Sequence, residues 1–250
     1  MKLDIFGASD IGCVRELNED SFCIYGFDDG NPCGFCVLSD GMGGHNAGEV
    51  ASGKTVEFVT EVLKKAISDT KASMPPRALT EAVSYANRTV YDMAMSDSKQ
   101  NGMGATLVAA YITDSEAYIA NVGDSRAYAF KDNRLFQITK DHSVVEEMVA
   151  SGSLSREEAR RHPQKNIITR AIGTDINTEA DLFEYECTAD DCLLLCSDGL
   201  SGMLEDSEIE SIVKGAADSK TMAEALIKSA KEHGGTDNIT VICIRFIQEV

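Results

Sequence analysis

ATLVAAYITDSEAYIANVGDSRAYAFKDNRLFQIT, residues 105–139, breaks into four short runs rich in Ala, Val, Ile, Tyr and Phe, at 105–112, 117–122, 126–131 and 134–139. Thr113-Asp114-Ser115-Glu116, Gly123-Asp124-Ser125 and Asp132-Asn133 separate them. Connections this short let a strand turn back antiparallel, whereas parallel pairing needs a crossover of about a dozen residues or more. The stretch therefore predicts an antiparallel meander and excludes a doubly wound parallel sheet. Upstream, runs at 3–9, 22–27 and 33–39 read as strands divided by Asp, Asn, Gly and Pro. Two helices follow. Ala51, Thr55, Phe58, Val59, Val62 and Ala66 recur at helical spacing in 49–68, with Asn46 and Glu49 patterned as a capping box, and Leu79, Val83, Ala86, Val90 and Met93 do so in 76–95. Downstream lie a polar segment, 143–178, with helical turns at 146–150 and 155–162, then strands at 182–186 and 192–197, helices at 205–213 and 222–231, and a last strand at 239–247. Strands cluster and helices come in pairs. That pattern belongs to the α+β class, with two antiparallel sheets flanked by pairs of helices.

A chain of 250 residues is ordinary for one large domain, and we expect a single domain over 1–250 with an insertion at about 143–178. Its net charge of −18, from 23 basic and 41 acidic residues, argues against nucleic acid or an anionic membrane as partner. No apolar run approaches the roughly 20 residues of a membrane span, and Met1-Lys2-Leu3-Asp4 lacks a signal-like start, so a cytoplasmic location is expected. The apolar faces are all needed for a core, which predicts a monomer. Of the eight cysteines, Cys23, Cys36, Cys192, Cys196 and Cys243 sit in apolar runs as reduced core thiols. Cys33 and Cys36 form a Cys-x-x-Cys, but residues three apart on a strand face opposite sides, so no zinc or redox role is assigned.

Six acidic motifs fall where apolar runs break into turns: Arg15 with Asn18-Glu19-Asp20; Ser39-Asp40-Gly41-Met42-Gly43-Gly44-His45; Gly123-Asp124-Ser125-Arg126; Asp141-His142-Ser143; Ser197-Asp198-Gly199; and Gly235-Thr236-Asp237-Asn238. Singly, Asp-Gly is a common turn dipeptide. Together, carboxylates presented from strand ends suit hard divalent cations, which prefer oxygen ligands. An acidic protein must also overcome its repulsion of a phosphate dianion, and a bidentate Arg beside cations does so.

In these motifs and their order the chain resembles the metal-dependent Ser/Thr protein phosphatases, the PPM family or protein phosphatase type 2C, across residues 6–246. The resemblance implies a four-layer αββα sandwich and a phosphoprotein phosphatase. In it, a water or hydroxide bridging two Mg2+ or Mn2+ ions attacks phosphoserine or phosphothreonine directly. Asp40 would bridge the ions and the Gly41 carbonyl would complete one shell. Asp198 and Asp237 would be the other direct ligands, Glu19 and Asp20 would hold metal-bound waters, and Arg15 would grip the substrate phosphate. Asp124, with Asp198, resembles the ligand of a third, weaker ion in bacterial members. The segment at 143–178 falls where the family carries a flap beside the site. Implied partners are phosphoprotein substrates, among them a Ser/Thr protein kinase and its targets.

Many eukaryotic members place a His after the Asp-Gly to protonate the leaving oxygen; here Met42 stands there, as in the bacterial branch, and no leaving-group acid is assigned. His45 is a candidate for that acid but reads rather as a positioning or loop-packing residue, and His142 reads as structural, while His162 and His233 have no special context. Two rival readings are weighed. Gly48-Glu49-Val50-Ala51-Ser52-Gly53-Lys54-Thr55 has Walker A spacing, but no strand precedes it, Glu49 would sit in an anion cradle and its interior reads as helix. A non-catalytic phosphopeptide-binding or scaffold relative would have lost metal-binding Asp residues, and none is missing.

Overall fold

The computed structural model describes residues 1–27, 33–43, 47–68 and 74–248. Gly44, His45 and Asn46, and with them the expected capping box, lie outside the described residues. The chain forms β1 (Lys2–Asp10), β2 (Asp20–Gly26), β3 (Gly34–Met42), α1 (Ala47–Ser68), α2 (Pro75–Ser96), β4 (Gly104–Ala105), β5 (Leu107–Ile112), β6 (Glu116–Val122), β7 (Arg126–Lys131) and β8 (Arg134–Gln137). It continues through α3 (Val144–Ala150), α4 (Arg156–Arg161), β9 (Asp181–Glu186), β10 (Cys192–Cys196), α5 (Asp198–Ser201), α6 (Asp206–Gly215), α7 (Ser219–Glu232) and β11 (Ile239–Ile247). One sheet has the order β1-β11-β10-β7-β8, the other β2-β3-β5-β6-β9 with β4 added against β3. Every named pairing is antiparallel.

Alternation along each strand builds the layers. In β3, Phe35 and Val37 face the pair α1 and α2, while Cys36 and Leu38 face the other sheet. In β11, Ile239, Val241 and Cys243 face α6 and α7, while Ile242, Ile244 and Phe246 meet Leu38, Val108 and Ile119 between the sheets. Central strands buried on both faces carry apolar residues at almost every position, and Cys192, Cys196 and Cys243 fill helix-facing places as small hydrophobes. Deleting a fully buried side chain here, such as Leu193, would cost about 2–5 kcal/mol. The result is the αββα sandwich the sequence resembles.

One expectation fails. The meander is cut at its second turn, because β5 and β6 pair in one sheet and β7 and β8 in the other, so residues 123–125 cross the sandwich. Asp132 and Asn133 do close a hairpin, with φ of 52° and 63°. The sequence pattern misses the difference because both connections are short, polar and flanked by alternating apolar residues. The crossing depends on partners distant in the chain: β6 pairs with β9 and β7 with β10. α5 was also unforeseen, being a single turn read from sequence as the Asp198-Gly199 bend. The Walker-like segment is helix throughout, within α1, and Lys54 pairs with Glu57 on its surface. Among the described residues no helix is long and apolar enough to cross a membrane.

Candidate metal centre

Strand register gathers the acidic motifs at one end of the sandwich. Asp20 lies opposite Asp40, Leu107 opposite Val122, Cys196 opposite both Arg126 and Val241, and Asp10 opposite Ile239. The end of β3, the start of β2, the 123–125 crossover and the turns after β10 and before β11 therefore converge. At the Asp40 rung, side chains replace part of the ladder. Thr106 N donates to Asp40 O at 2.8 Å, but Asp40 N donates to Thr106 Oγ1 at 2.9 Å, and Ser39 Oγ donates to Thr106 O at 2.6 Å. Gly41 needs its missing side chain, since a Cβ there would sit 2.0 Å from Gly48 O, where the start of α1 crosses the strand end.

The carboxylates are crowded and dry. Asp20 Oδ2 accepts from Ser197 Oγ at 2.8 Å and Thr240 Oγ1 at 2.6 Å, but its Oδ1 and Asp198 Oδ1 are buried with no partner. Burial, then repulsion by Asp198 and Asp237, pushes Asp20 up to about 7 despite those hydroxyls. Burial and Asp237 push Asp198 up to about 6. Asp40 rises well above the carboxylate range through burial and the charges of Asp20, Asp198, Asp124 and Asp237, and Asp124 through burial, Asp198 and Asp141. Orphaned oxygens facing mutually repelling carboxylates fit a hard cation, which would satisfy both defects at once. Among the described residues no three His, Cys, Asp or Glu side chains already form a closed cage, so such an ion would draw its ligands together.

At the rim, Arg15 Nη2 donates to Asp237 Oδ2 at 2.8 Å and Arg15 Nη1 lies 3.9 Å from Glu19 Oε2, with the Arg15 side chain 46% exposed. Burial is the largest influence raising Glu19, against Arg15, which lowers it. All eight residues assigned by resemblance (Arg15, Glu19, Asp20, Asp40, Gly41, Asp124, Asp198 and Asp237) thus share one neighbourhood. Asn238, beside Asp237 in the chain, carries no role in the resemblance. It is buried; its Nδ2 donates to Ile11 O and Leu17 O, both at 3.0 Å, and its Oδ1 accepts from Glu19 N at 2.8 Å, which pins the loop carrying Arg15. Its signal was its place beside Asp237, but its long-range partners were invisible in the chain. His142 is structural, as expected: Gly123 N donates to its Nδ1 at 3.1 Å, its own N–H donates to Gly123 O at 2.9 Å, and its Nε2 stands 3.2 Å from Asp181 Oδ2. His233 pairs with Glu208 and His162 ends α4, both away from the centre.

Beside Asp124 and Asp198 opens a cavity of about 640 Å³, walled by Glu146, Arg156 and Arg160 of the 143–178 segment and by Met203. α3 and α4 contain no buried residue; they are capped by Ser143, accepting from Glu146 N, and by Ser155 in a capping box with Glu158, and Arg160 ties α4 to Leu204 O at 2.8 Å and to Glu205 at 2.9 Å.

The family model described as protein phosphatase 2C matches residues 14–238. The chain belongs to the protein phosphatase 2C family and is thereby a phosphoprotein hydrolase. It is similar to the serine/threonine phosphatase stp of Listeria monocytogenes, 39% identical over 236 residues that cover 94% of this chain and 93% of that one. The crystal structure of the serine/threonine phosphatase Stp1 from Staphylococcus aureus superposes with a TM-score of 0.88 at 36% identity, covering 99% of this chain and 96% of that one. The catalytic domain of the serine/threonine protein phosphatase PstP, solved in complex with two manganese ions, gives a TM-score of 0.84 at 34% identity, covering 98% of this chain and 99% of that one.

Proposed function

We propose that this chain hydrolyses phosphoserine and phosphothreonine in proteins and depends on divalent metal ions to do so. The observation that carries the reading is the set of buried, mutually repelling carboxylates with orphaned Asp20 Oδ1 and Asp198 Oδ1, beside an exposed Arg15. Asp40, the Gly41 carbonyl, Asp198 and Asp237 would hold two Mg2+ or Mn2+ ions, Glu19 and Asp20 their outer sphere, and Asp124 with Asp198 a third. Bound ions supply the positive charge that admits a phosphate dianion and the activation of an attacking water.

The chain's own residues do the rest. Ser197 and Thr240 fix Asp20 by donating to its Oδ2. Arg15, held by Asp237, presents a guanidinium for the substrate phosphate, and its charge is secured by that carboxylate and by Glu19 against partial burial. Cys196 is no nucleophile, since burial holds its thiol up to about 12. Met42 pairs with Gly104 and offers no proton for the leaving oxygen. The 143–178 segment acts as a flap governing substrate choice on a single catalytic domain. A Ser/Thr kinase of the same cell and its targets are the substrates we expect, for a monomer working in the cytoplasm.

Hydrolysis of a phosphothreonine peptide with Mn2+, with Mg2+ and with EDTA, alongside ATP, tests this. Release with metal, none with EDTA and no ATP turnover is the expected result. A folded protein inert with either ion would sink it and leave a phosphopeptide-binding relative.

A further inference from the structure

Three hydroxyls beneath the acidic cluster are buried and used by no step above. Thr106, Ser125 and Ser39 are 4%, 0% and 0% exposed. Thr106 Oγ1 and Ser125 Oγ lie 2.6 Å apart, and the same Thr106 Oγ1 accepts from Asp40 N at 2.9 Å. On its other side Thr106 carries the crossover. A Cβ on Gly123, whose φ is +101°, would sit 2.8 Å from Thr106 Cγ2. One side chain thus touches the backbone that aims Asp40 and the turn that presents Asp124. A hydroxyl has one donor and two acceptor sites, so Thr106 Oγ1 can satisfy Asp40 N and Ser125 Oγ together. Valine, of the same shape, can do neither.

We infer that Thr106 is a positioning residue that sets Asp40 against Asp124, and that its hydroxyl, through Ser125, couples the ion held at Asp40 to the ion held at Asp124. The inference rests on the metal-dependent reading of the site. It excludes a merely space-filling Thr106, because packing needs only the methyl group that lies against Gly123. It also explains why the rung at Asp40 departs from the ladder. Were Asp40 N bonded to the strand opposite, as elsewhere in β3, nothing would tie its orientation to the crossover.

The test is calorimetric titration of the metal-free protein with Mn2+, with hydrolysis of a small aryl phosphate measured alongside. It compares wild type, Thr106→Ser, Thr106→Val and Ser125→Ala. In Thr106→Val, Mn2+ affinity and kcat should each fall by about tenfold or more, because Asp40 N is left buried without an acceptor. KM should stay within about twofold, since Arg15 still binds the phosphate. Thr106→Ser should match wild type and Ser125→Ala should weaken Mn2+ binding by about threefold. Wild-type Mn2+ affinity in Thr106→Val overturns the inference, as does a Thr106→Ser variant impaired as much as Thr106→Val. If Thr106→Val does not fold, Ser125→Ala decides, with unaltered Mn2+ affinity overturning the coupling. A wild-type protein that neither binds Mn2+ nor releases phosphate overturns the metal-dependent reading itself and this inference with it, a result distinct from the variant outcomes.

Discussion

β10 is flanked by two acidic residues that the fold treats in opposite ways. Before it, Asp191 is 3% exposed and surrounded by donors: its Oδ2 accepts from Thr188 N at 2.8 Å, Thr188 Oγ1 at 2.9 Å and Tyr185 Oη at 2.9 Å, with Lys131 Nζ at 3.3 Å. After it, Asp198 is buried with Oδ1 unpartnered and faces other carboxylates. Burial alone therefore does not distinguish a structural acid from a functional one; satisfaction does. A buried charge with its own donors stabilises the fold, whereas one left unsatisfied among like charges costs stability until something from outside completes it.

The sharpest way to break this contrast is to neutralise each kind of acid. Asp40→Asn or Asp198→Asn should lower phosphatase kcat by about a hundredfold or more, since each removes a charged ligand from a hard-cation site. Both variants should melt no lower than wild type without metal. Wild-type turnover in Asp40→Asn removes it from the centre. Asp191→Asn should do the reverse, losing about 2–3 kcal/mol of stability by urea unfolding while kcat per folded molecule is unchanged.

A pH series sharpens the same point. Asp20, Asp40, Asp124 and Asp198 are all raised in the folded state, so between about pH 4 and 7 the folded chain binds more protons than the unfolded one. Stability of the metal-free protein should then fall as pH rises through that window. His142, lowered chiefly by burial, pulls the other way but is one group against four. Asp10 and Asp181 are lowered, and their contribution is lost only below the usual carboxylate range. In EDTA the protein should melt about 3–6 °C higher at pH 5 than at pH 7.5, and excess Mn2+ should abolish the difference. A metal-free melting point that climbs steadily over the same range would contradict the crowding of the four acids.

Which acids belong together was legible in the chain, because nearly every motif sits where an apolar run begins or ends, and strands begin and end at the edges of a sandwich. The resemblance assigned Asp40, Asp198 and Asp237 their parts, and register explains why such distant residues meet. Asn238 and Thr106 were not legible. Their roles consist of bonds to Ile11, Leu17 and Glu19, and to Asp40 and Ser125, and nothing local in Asn238-Ile239 or Ala105-Thr106 announces such partners. Nor was the Asp191 network, since Asp190-Asp191 reads as an exposed turn until Tyr185 and Lys131 are brought to it.

Arg15 lies between the two kinds of charge, half exposed yet paired with Asp237. Arg15→Ala should raise KM for phosphate esters by about tenfold with a smaller change in kcat, because the guanidinium holds the dianion in ground and transition states alike. Steady-state kinetics on a phosphothreonine peptide measures both, and an unchanged KM removes Arg15 from the phosphate site.

The smallest effect separates the two turns that the sequence could not tell apart. Asp132 and Asn133 carry positive φ at both central positions, as a type I′ hairpin requires, and the turn meets solvent. Asn133→Gly should be neutral to stabilising, by about 0.5–1 kcal/mol or roughly 1–3 °C, with kcat and KM unmoved, since Gly enters that conformation without strain and the loop touches no catalytic group. Gly123 also has positive φ, but it is wedged against Thr106 and bonded to both the imidazole and the backbone N–H of His142. Gly123→Ala should cost activity as well as stability, because the added Cβ must push Thr106, and Thr106 moves Asp40. If both substitutions changed only the melting point, the crossover would be as local a feature as the hairpin, and the link from Gly123 through Thr106 to the acidic centre would not exist.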